Sequence, residues 1–262
     1  MDKTLRTAAT GLTAQQRFVE IISNNLANVN TTGFKKTRPE FQDLLYENIR
    51  AAGNTQQTGT EPLNEIQIGS GTELVATTKQ FSQGDVSQTN NPLDMAIKGD
   101  GFFMVRKPDN SIGYSRDGSF KLDKNGQIVN SQGYLLEPGL SVPDNAAQVN
   151  ISRNGVISVV TDGTRDEQVL GQIELARFVN PAGLRAVGDN LFSETSASGR
   201  AIIEQPGVNN TGEIMQSHLE NSNVDLVQEM VNMIIAQRAY ELNSKSVKTA
   251  DDILATATNL KR

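Results

Sequence analysis

MDKTLRTAATGLTAQQRFVEIISNNLANVN, residues 1–30, sets an apolar side chain at alternating third and fourth positions: Leu5, Ala8, Leu12, Val19, Ile22, Leu26 and Val29, with Gln15 the exception. That spacing is the seam of a coiled-coil-like helix rather than of a strand. Asn30 and Gly33 supply a stop, since glycine takes the positive φ that ends a helix. A second such stretch occupies residues 222–262. Its first row runs Leu226, Met230, Met233, Gln237, Tyr240, Ser244, Val247, Asp251, Leu254, and a second row beside it runs Val227, Val231, Ile234, Arg238. Ser222 or Asn223 is the expected cap, ahead of Asp225 and Glu229 in the first turns. Two adjoining rows suit a helix that touches more than one neighbour.

Between these stretches, residues 69–206 change character. Short apolar runs alternate with Gly84-Asp85, Asp100-Gly101, Asp117-Gly118, Asn125-Gly126 and Asp162-Gly163, pairs that favour tight turns. Strands are predicted over residues 73–81, 101–106, 112–115, 134–136, 156–160 and 172–179. The predicted fold is α+β: N- and C-terminal coiled-coil-like helices joined to a central antiparallel all-β domain, a sandwich or irregular barrel. The divisions read as residues 1–30 for the first helix, 31–68 for a linker and extended arm, and 69–206 for the β domain. Residues 207–221 then form a return linker and 222–262 the last helix. The stretch 47–66 is polar and aperiodic, so a surface loop or arm is expected.

Composition excludes much chemistry. The 262 residues contain no Cys and one His, which removes disulfides, thiolate metal sites and Cys nucleophiles. A Ser-His-Asp triad would depend on His218, and no Gly-x-Ser-x-Gly elbow stands in the chain. Gly99-Asp100-Gly101-Phe102-Phe103 is followed by β-rich residues instead of a phosphate-binding helix, so a hairpin turn is expected there. Asp123-Lys124-Asn125-Gly126 begins like a calcium loop but lacks the later ligands, so it too reads as a turn. Asp162 and Asp166 have no spacing that singles them out as a glycosidase pair. No cofactor, metal or catalytic residue is expected. A net charge of −6 argues against a nucleic-acid partner, and the small run Lys35, Lys36, Arg38 reads as a solvated turn. No apolar run reaches the ~18 residues of a membrane span, so membrane insertion is not expected. Residues 1–10 show no secretory signal pattern.

A lone helix with an apolar seam is marginal in water, so the seams need cover. Two arrangements remain open on residues alone. The end helices form a bundle shared among copies, or they close on each other as an intramolecular hairpin. A secreted β-rich adhesin or enzyme dimerised by its helices is the competing functional class.

Specific strings add to this. Residues 23–35, SNNLANVNTTGFK, resemble the N-terminal signature of the flagellar basal-body rod and hook proteins, through Asn24, Asn25, Leu26, Ala27, Asn28, Gly33 and Phe34. NPLDMAIKGDGFF at 91–103, with Gly99, Gly101, Phe102 and Phe103, is similar to that family's internal motif, which YSRDGSF at 114–120 continues. LENSNVDLV at 219–227 and QRAYE at 237–241 are similar to its C-terminal signature. Within the family the distal rod members match best, by length and by the extra polar segment at 46–62; a proximal rod or hook-type axial subunit is the alternative. The resemblance implies a non-enzymatic subunit exported unfolded through the flagellar type III apparatus without a cleaved signal. It implies helical self-assembly into a rigid tube that crosses the periplasm to the outer membrane and carries torque to the hook. Its partners would be further copies, the proximal rod and hook-side axial proteins, and the P and L rings.

Overall fold

The computed structural model describes residues 2–50, 66–143, 145–161 and 167–259. The turn Asp162-Gly163, Asp166 and the centre of the polar arm lie outside the described residues. The chain forms two units: Met1–Leu26 with Thr37–Thr78 and Asp225–Arg262, and Ala27–Lys36 with Lys79–Val224.

The first unit holds α1 (Asp2–Ala27), two short ribbons and α2 (Leu226–Asn259). Strand β1 (Thr37–Asp43) and a partner at 72–79 make one ribbon; β2 (Tyr46–Arg50) and β3 (Ile66–Gly69) make the other, antiparallel. The partner at Thr72–Lys79 is β4. The sequence reading set that strand within the central β zone, yet nearly all of it belongs with the helices. The reading of 47–66 as loop or arm also missed the β2–β3 ribbon that closes its two ends.

The helices run antiparallel. Asn25 of α1 meets Glu229 of α2, and Gly11 meets Asn243. A Cβ built on Gly11 would come within 2.9 Å of the Asn243 side-chain nitrogen, so a larger residue there would require that amide to shift. Ala14, Ile22, Asn25, Ala236 and Glu229 are buried. Helix α2 begins one residue after Asp225, whose Oδ1 accepts the N–H groups of Val227 (2.9 Å) and Gln228 (3.1 Å). Asp225 is therefore the cap, in place of Ser222 or Asn223.

The strands of the second unit pair antiparallel, with a short 3-10 turn at Pro181–Gly183 and an isolated parallel bridge between Asp100 and Thr211. In chain order its strands are β5 (Val86–Gln88), β6 (Met95–Lys98), β7 (Phe102–Arg106), β8 (Ile112–Ser115), β9 (Lys121–Leu122) and β10 (Ile128–Val129). They continue with β11 (Leu135–Leu136), β12 (Ala146–Ile151), β13 (Val156–Thr161), β14 (Glu167–Gln172) and β15 (Leu175–Arg177). The last five are β16 (Arg185–Gly188), β17 (Leu191–Ser193), β18 (Ile202–Glu204), β19 (Glu213–Gln216) and β20 (His218–Glu220).

Strand β7 is the centre of the unit. It pairs with β8, β11 and β15 in the nine-stranded sheet, while β12, β13 and β14 form a separate three-stranded one. Successive side chains of a strand point to opposite faces. Phe103 and Val105 accordingly enter one core with Ile128, Ile157, Leu175 and Ile214. Phe102 and Met104 enter another with Tyr114, Phe178 and Phe192. Phe102 meets Phe81, Phe178 and Phe192 edge to face at 5.4, 5.7 and 6.1 Å, a geometry that favours aromatic pairs.

Asn125-Gly126, with Gly126 at φ +72°, does join a hairpin of β9 and β10. Gly99 and Gly101, at φ +110° and +143°, do not: β6 pairs with β19 and β7 with other strands, so these glycines turn a corner between sheets. Residues 207–221, read as a return linker, hold β19 and β20, which pair with β6 and β5.

Candidate functional site

The first site is the outward face of α2. Leu226, Val227, Met230, Val231, Ile234 and Ile235 are between 44% and 68% exposed. Tyr240 is exposed as well, while Met233, Val247 and Leu254 are half-buried. The face that α2 turns inward is instead made of Glu229, Asn232, Met233, Ala236, Ala239, Asn243, Val247, Ala250 and Leu254. Beside Met233, Val247 and Leu254 this inward face is made of small and polar side chains, and the six exposed apolar ones within residues 226–235 are left over. On α1 the division is different: Leu5, Leu12, Val19 and Leu26 are half-buried and Ile22 is buried, while Val29, also half-buried, lies in the turn after the helix. Val19 lines an open groove between the helices with Gln16, Gln237 and Tyr240.

Asn25 fixes the polar end of this pair. Its amide exchanges two hydrogen bonds with the backbone of Thr37, each 2.9 Å, and donates to Glu229 Oε2 at 3.1 Å. One side chain therefore ties α1, β1 and α2 together.

The second site lies in the β unit, where three distant strings of sequence converge. Lys35 Nζ is completely buried and donates to Glu220 Oε1 at 2.6 Å and to the Ser82 carbonyl at 2.8 Å. Glu220 Oε2 lies 3.5 Å from Arg116 Nη1, and the Arg116 guanidinium sits 5.2 Å from the centre of the Phe102 ring. Glu220 also accepts the N–H of Gly84 with its carboxylate and that of Gly33 with its backbone carbonyl, at 2.9 and 2.8 Å. Gly33, at φ +67°, has no room for a side chain: a Cβ would stand 2.5 Å from the Asp117 nitrogen. Burial, partly offset by Glu220, depresses the pKa of Lys35, and burial likewise depresses that of Arg116. The expected solvated turn at Lys35, Lys36 and Arg38 is thus wrong at its first residue. A lysine enters the interior when a carboxylate meets it there, and that carboxylate is 185 residues away.

Beside this cluster, Asn223 fastens three strings at once. Its Nδ2 donates to the carbonyls of Gln80 (2.8 Å) and Ser82 (3.1 Å), and its Oδ1 accepts the Lys36 N–H at 2.8 Å. The Gln80 N–H in turn donates to the Lys36 carbonyl at 2.9 Å. Lys36, Gln80 and Asn223 each stand within two residues of a point where the chain passes from one unit to the other.

The other motif residues serve turns and packing. Asn28 Oδ1 accepts the Thr31 hydroxyl at 3.2 Å, and Gly99 N donates to Gln83 Oε1 at 3.0 Å. Phe34 is half-buried with Lys79 Nζ 5.2 Å from its ring centre, and Asn24 and Ala27 are exposed. His218 Nδ1 lies 2.7 Å from the Gln216 carbonyl within the β unit. Among the described residues no cluster of His, Asp and Glu could hold a metal, and no helix is long and apolar enough to cross a membrane.

Known proteins match the chain along the same strings. Residues 5–35 match the family model "Flagella basal body rod protein", 96–159 match "Flagellar hook protein FlgE/F/G D1 domain", and 215–260 match "Flagellar basal body rod FlgEFG protein C-terminal". The flagellar basal-body rod protein FlgG of Borreliella burgdorferi is 49% identical, with all of both chains covered. This chain belongs to the flagellar basal-body rod protein family. The FlgG of Bacillus subtilis is 37% identical over 98% of this chain and 100% of its own length. The longer flagellar hook protein FlgE of Salmonella typhimurium is 25% identical over 97% of this chain and 99% of its own. The matched regions supply all three charges of the buried cluster: Lys35 from the first, Arg116 from the second and Glu220 from the third. The family is structural, which agrees with the missing catalytic constellation.

Proposed function

We propose that the chain is a structural subunit of the flagellar distal rod, polymerising helically through its end helices into a stiff tube that carries torque from motor to hook. The observation that carries this reading is the outward face of α2. Six large apolar side chains within residues 226–235 remain largely exposed after the intrachain helix pair has formed. Contiguous exposed apolar surface of this kind marks an association site. Fully burying such a side chain stabilises by roughly 1.5–3 kcal/mol, and covering the exposed part of each gives a share of that, so a row of them can hold a polymer together. The exposed residues Leu226, Val227, Met230, Val231, Ile234 and Tyr240 on α2, with Leu5, Leu12, Val19 and Leu26 on α1, form the assembly seam, whereas Met233, Val247 and Leu254 face inward, Ile22 is buried and Val29 lies beyond the end of α1. Coiled-coil packing among copies is part of the proposal.

The β2–β3 ribbon supports a second element. Tyr46, Ile49, Ile66 and Ile68 are exposed on it, so the arm it carries is suited to bracing a neighbouring copy. On this reading the chain is exported through the flagellar type III apparatus, stands across the periplasm, and contacts proximal rod, hook-side and P and L ring proteins. Sedimentation of the purified chain against Val231→Asp/Ile234→Asp tests the seam. The parent is expected to form polymers and the variant to stay monomeric with an unchanged melting temperature; a variant that polymerises like the parent refutes the seam.

A further inference from the structure

The β unit is closed by its own last segment. Strands β19 and β20 pair with β6 and β5, and Ile214 is buried in the larger core. The Gln216 amide donates to the carbonyls of Pro92 (2.9 Å) and Val149 (2.8 Å) and accepts the Ile151 N–H at 3.0 Å. Glu220 then enters between Lys35 and Arg116. Among the described residues it is the carboxylate that both cations meet. Before it arrives, Lys35 and Arg116 lack the carboxylate that both contact, and Arg116 keeps only the attraction of Asp100. An unpaired buried charge is far more costly than a paired one, so such a partly folded state is strongly disfavoured. We propose that residues 211–224 are a folding latch: the β unit stays open until Glu220 enters between Lys35 and Arg116, so a chain whose C-terminal stretch is not yet free cannot fold. The purpose of such a latch rests on the export reading above; the order of folding does not.

Two features sharpen the inference. The latch segment includes Asn223, whose amide fastens the backbone at Lys36, Gln80 and Ser82, so closing the unit also fixes these three strings. Phe102, beneath the Arg116 guanidinium, is part of the central strand β7. Correct seating of β7 and arrival of Glu220 are therefore one event.

Pulsed hydrogen exchange during refolding of the full chain, at a dilution that keeps it monomeric, tests this. The latch requires amides of β7 and β8 to gain protection in the same phase as those of β19 and β20. It further requires Glu220→Gln to slow refolding by about tenfold or more with little change in unfolding, the signature of an interaction already formed at the barrier. Glu220→Asp, which keeps the charge but shortens its reach, should fall between. Protection of β7 and β8 ahead of β19 and β20 would overturn the proposal, as would a Glu220 variant whose only effect is faster unfolding. If Glu220→Gln does not fold, the exchange order of the parent and the rates of Glu220→Asp decide. A failure to polymerise leaves every one of these readouts intact.

Discussion

Glu220 faces two buried cations, and this imbalance sets how each of the three tolerates change. Glu220→Gln removes the carboxylate that both cations contact, leaving Arg116 only the attraction of Asp100, and is expected to cost about 3–5 kcal/mol, the range for breaking a buried ion pair. Lys35→Met removes one of the two cations while Glu220 keeps Arg116 and the Gly84 N–H, so it is expected to cost clearly less. Urea unfolding of the two variants checks the order; equal losses would mean the cluster is not coupled. At the surface, Asp123 accepts the N–H groups of Gln127 (3.0 Å) and Asn125 (2.7 Å), which hold its carboxyl below the usual carboxylate range. Its folded value is the lower one, so its stabilisation is present above the ordinary carboxylate pKa and is lost as pH falls through the folded value. An NMR titration should find Asp123 ionising below freely exposed carboxylates, and Asp123→Ala should remove that part of the acid sensitivity. The turn at Asp123 was legible because Asp and Asn bond their own neighbours. Buried Lys35 was not, because burial depends on a partner that local sequence does not name.

At the scale of elements, the two end helices could be read from spacing alone, and so could the strands rich in Val, Ile and Phe such as β7 and β13. What spacing could not give was which face of α2 turns inward. Counting apolar residues selects Leu226, Met230 and Ile234, yet the intrachain contact is built on Gly11, Ala14, Ala236 and Asn243. Close helix approach needs small side chains, and these carry little hydrophobic signal. The polar strands β1, β2, β19 and β20 were hidden for a related reason: they are held by pairing rather than by an alternating apolar pattern. The asymmetry of α2 makes a direct prediction. Ala236→Leu forces bulk into a filled contact and should cost about 1–3 kcal/mol, seen as a lower melting temperature of the helical unit. Ile234→Asp, two residues away on the exposed face, should leave that temperature within experimental error while abolishing polymers. The reverse pattern would exchange the inner and outer faces.

For the whole molecule, four motifs in order along the chain identified the family more surely than any single element could. Composition agreed, since a chain without Cys and with one His has little catalytic means. The sequence did not reveal that three of those motifs meet at one buried charge cluster, because 81 and 104 residues separate Lys35, Arg116 and Glu220. The arm makes a prediction at this scale. Deleting residues 51–65 while joining β2 to β3 by a short turn should leave both units folded by circular dichroism but give curved or fragile rods in micrographs. Straight rods of parental stiffness would remove the bracing role. The central claim, that this chain builds the distal rod, is tested most directly by electron microscopy of basal bodies from cells lacking the gene. The account predicts rods that end short and carry no hook; complete basal bodies with normal rods and hooks would contradict it.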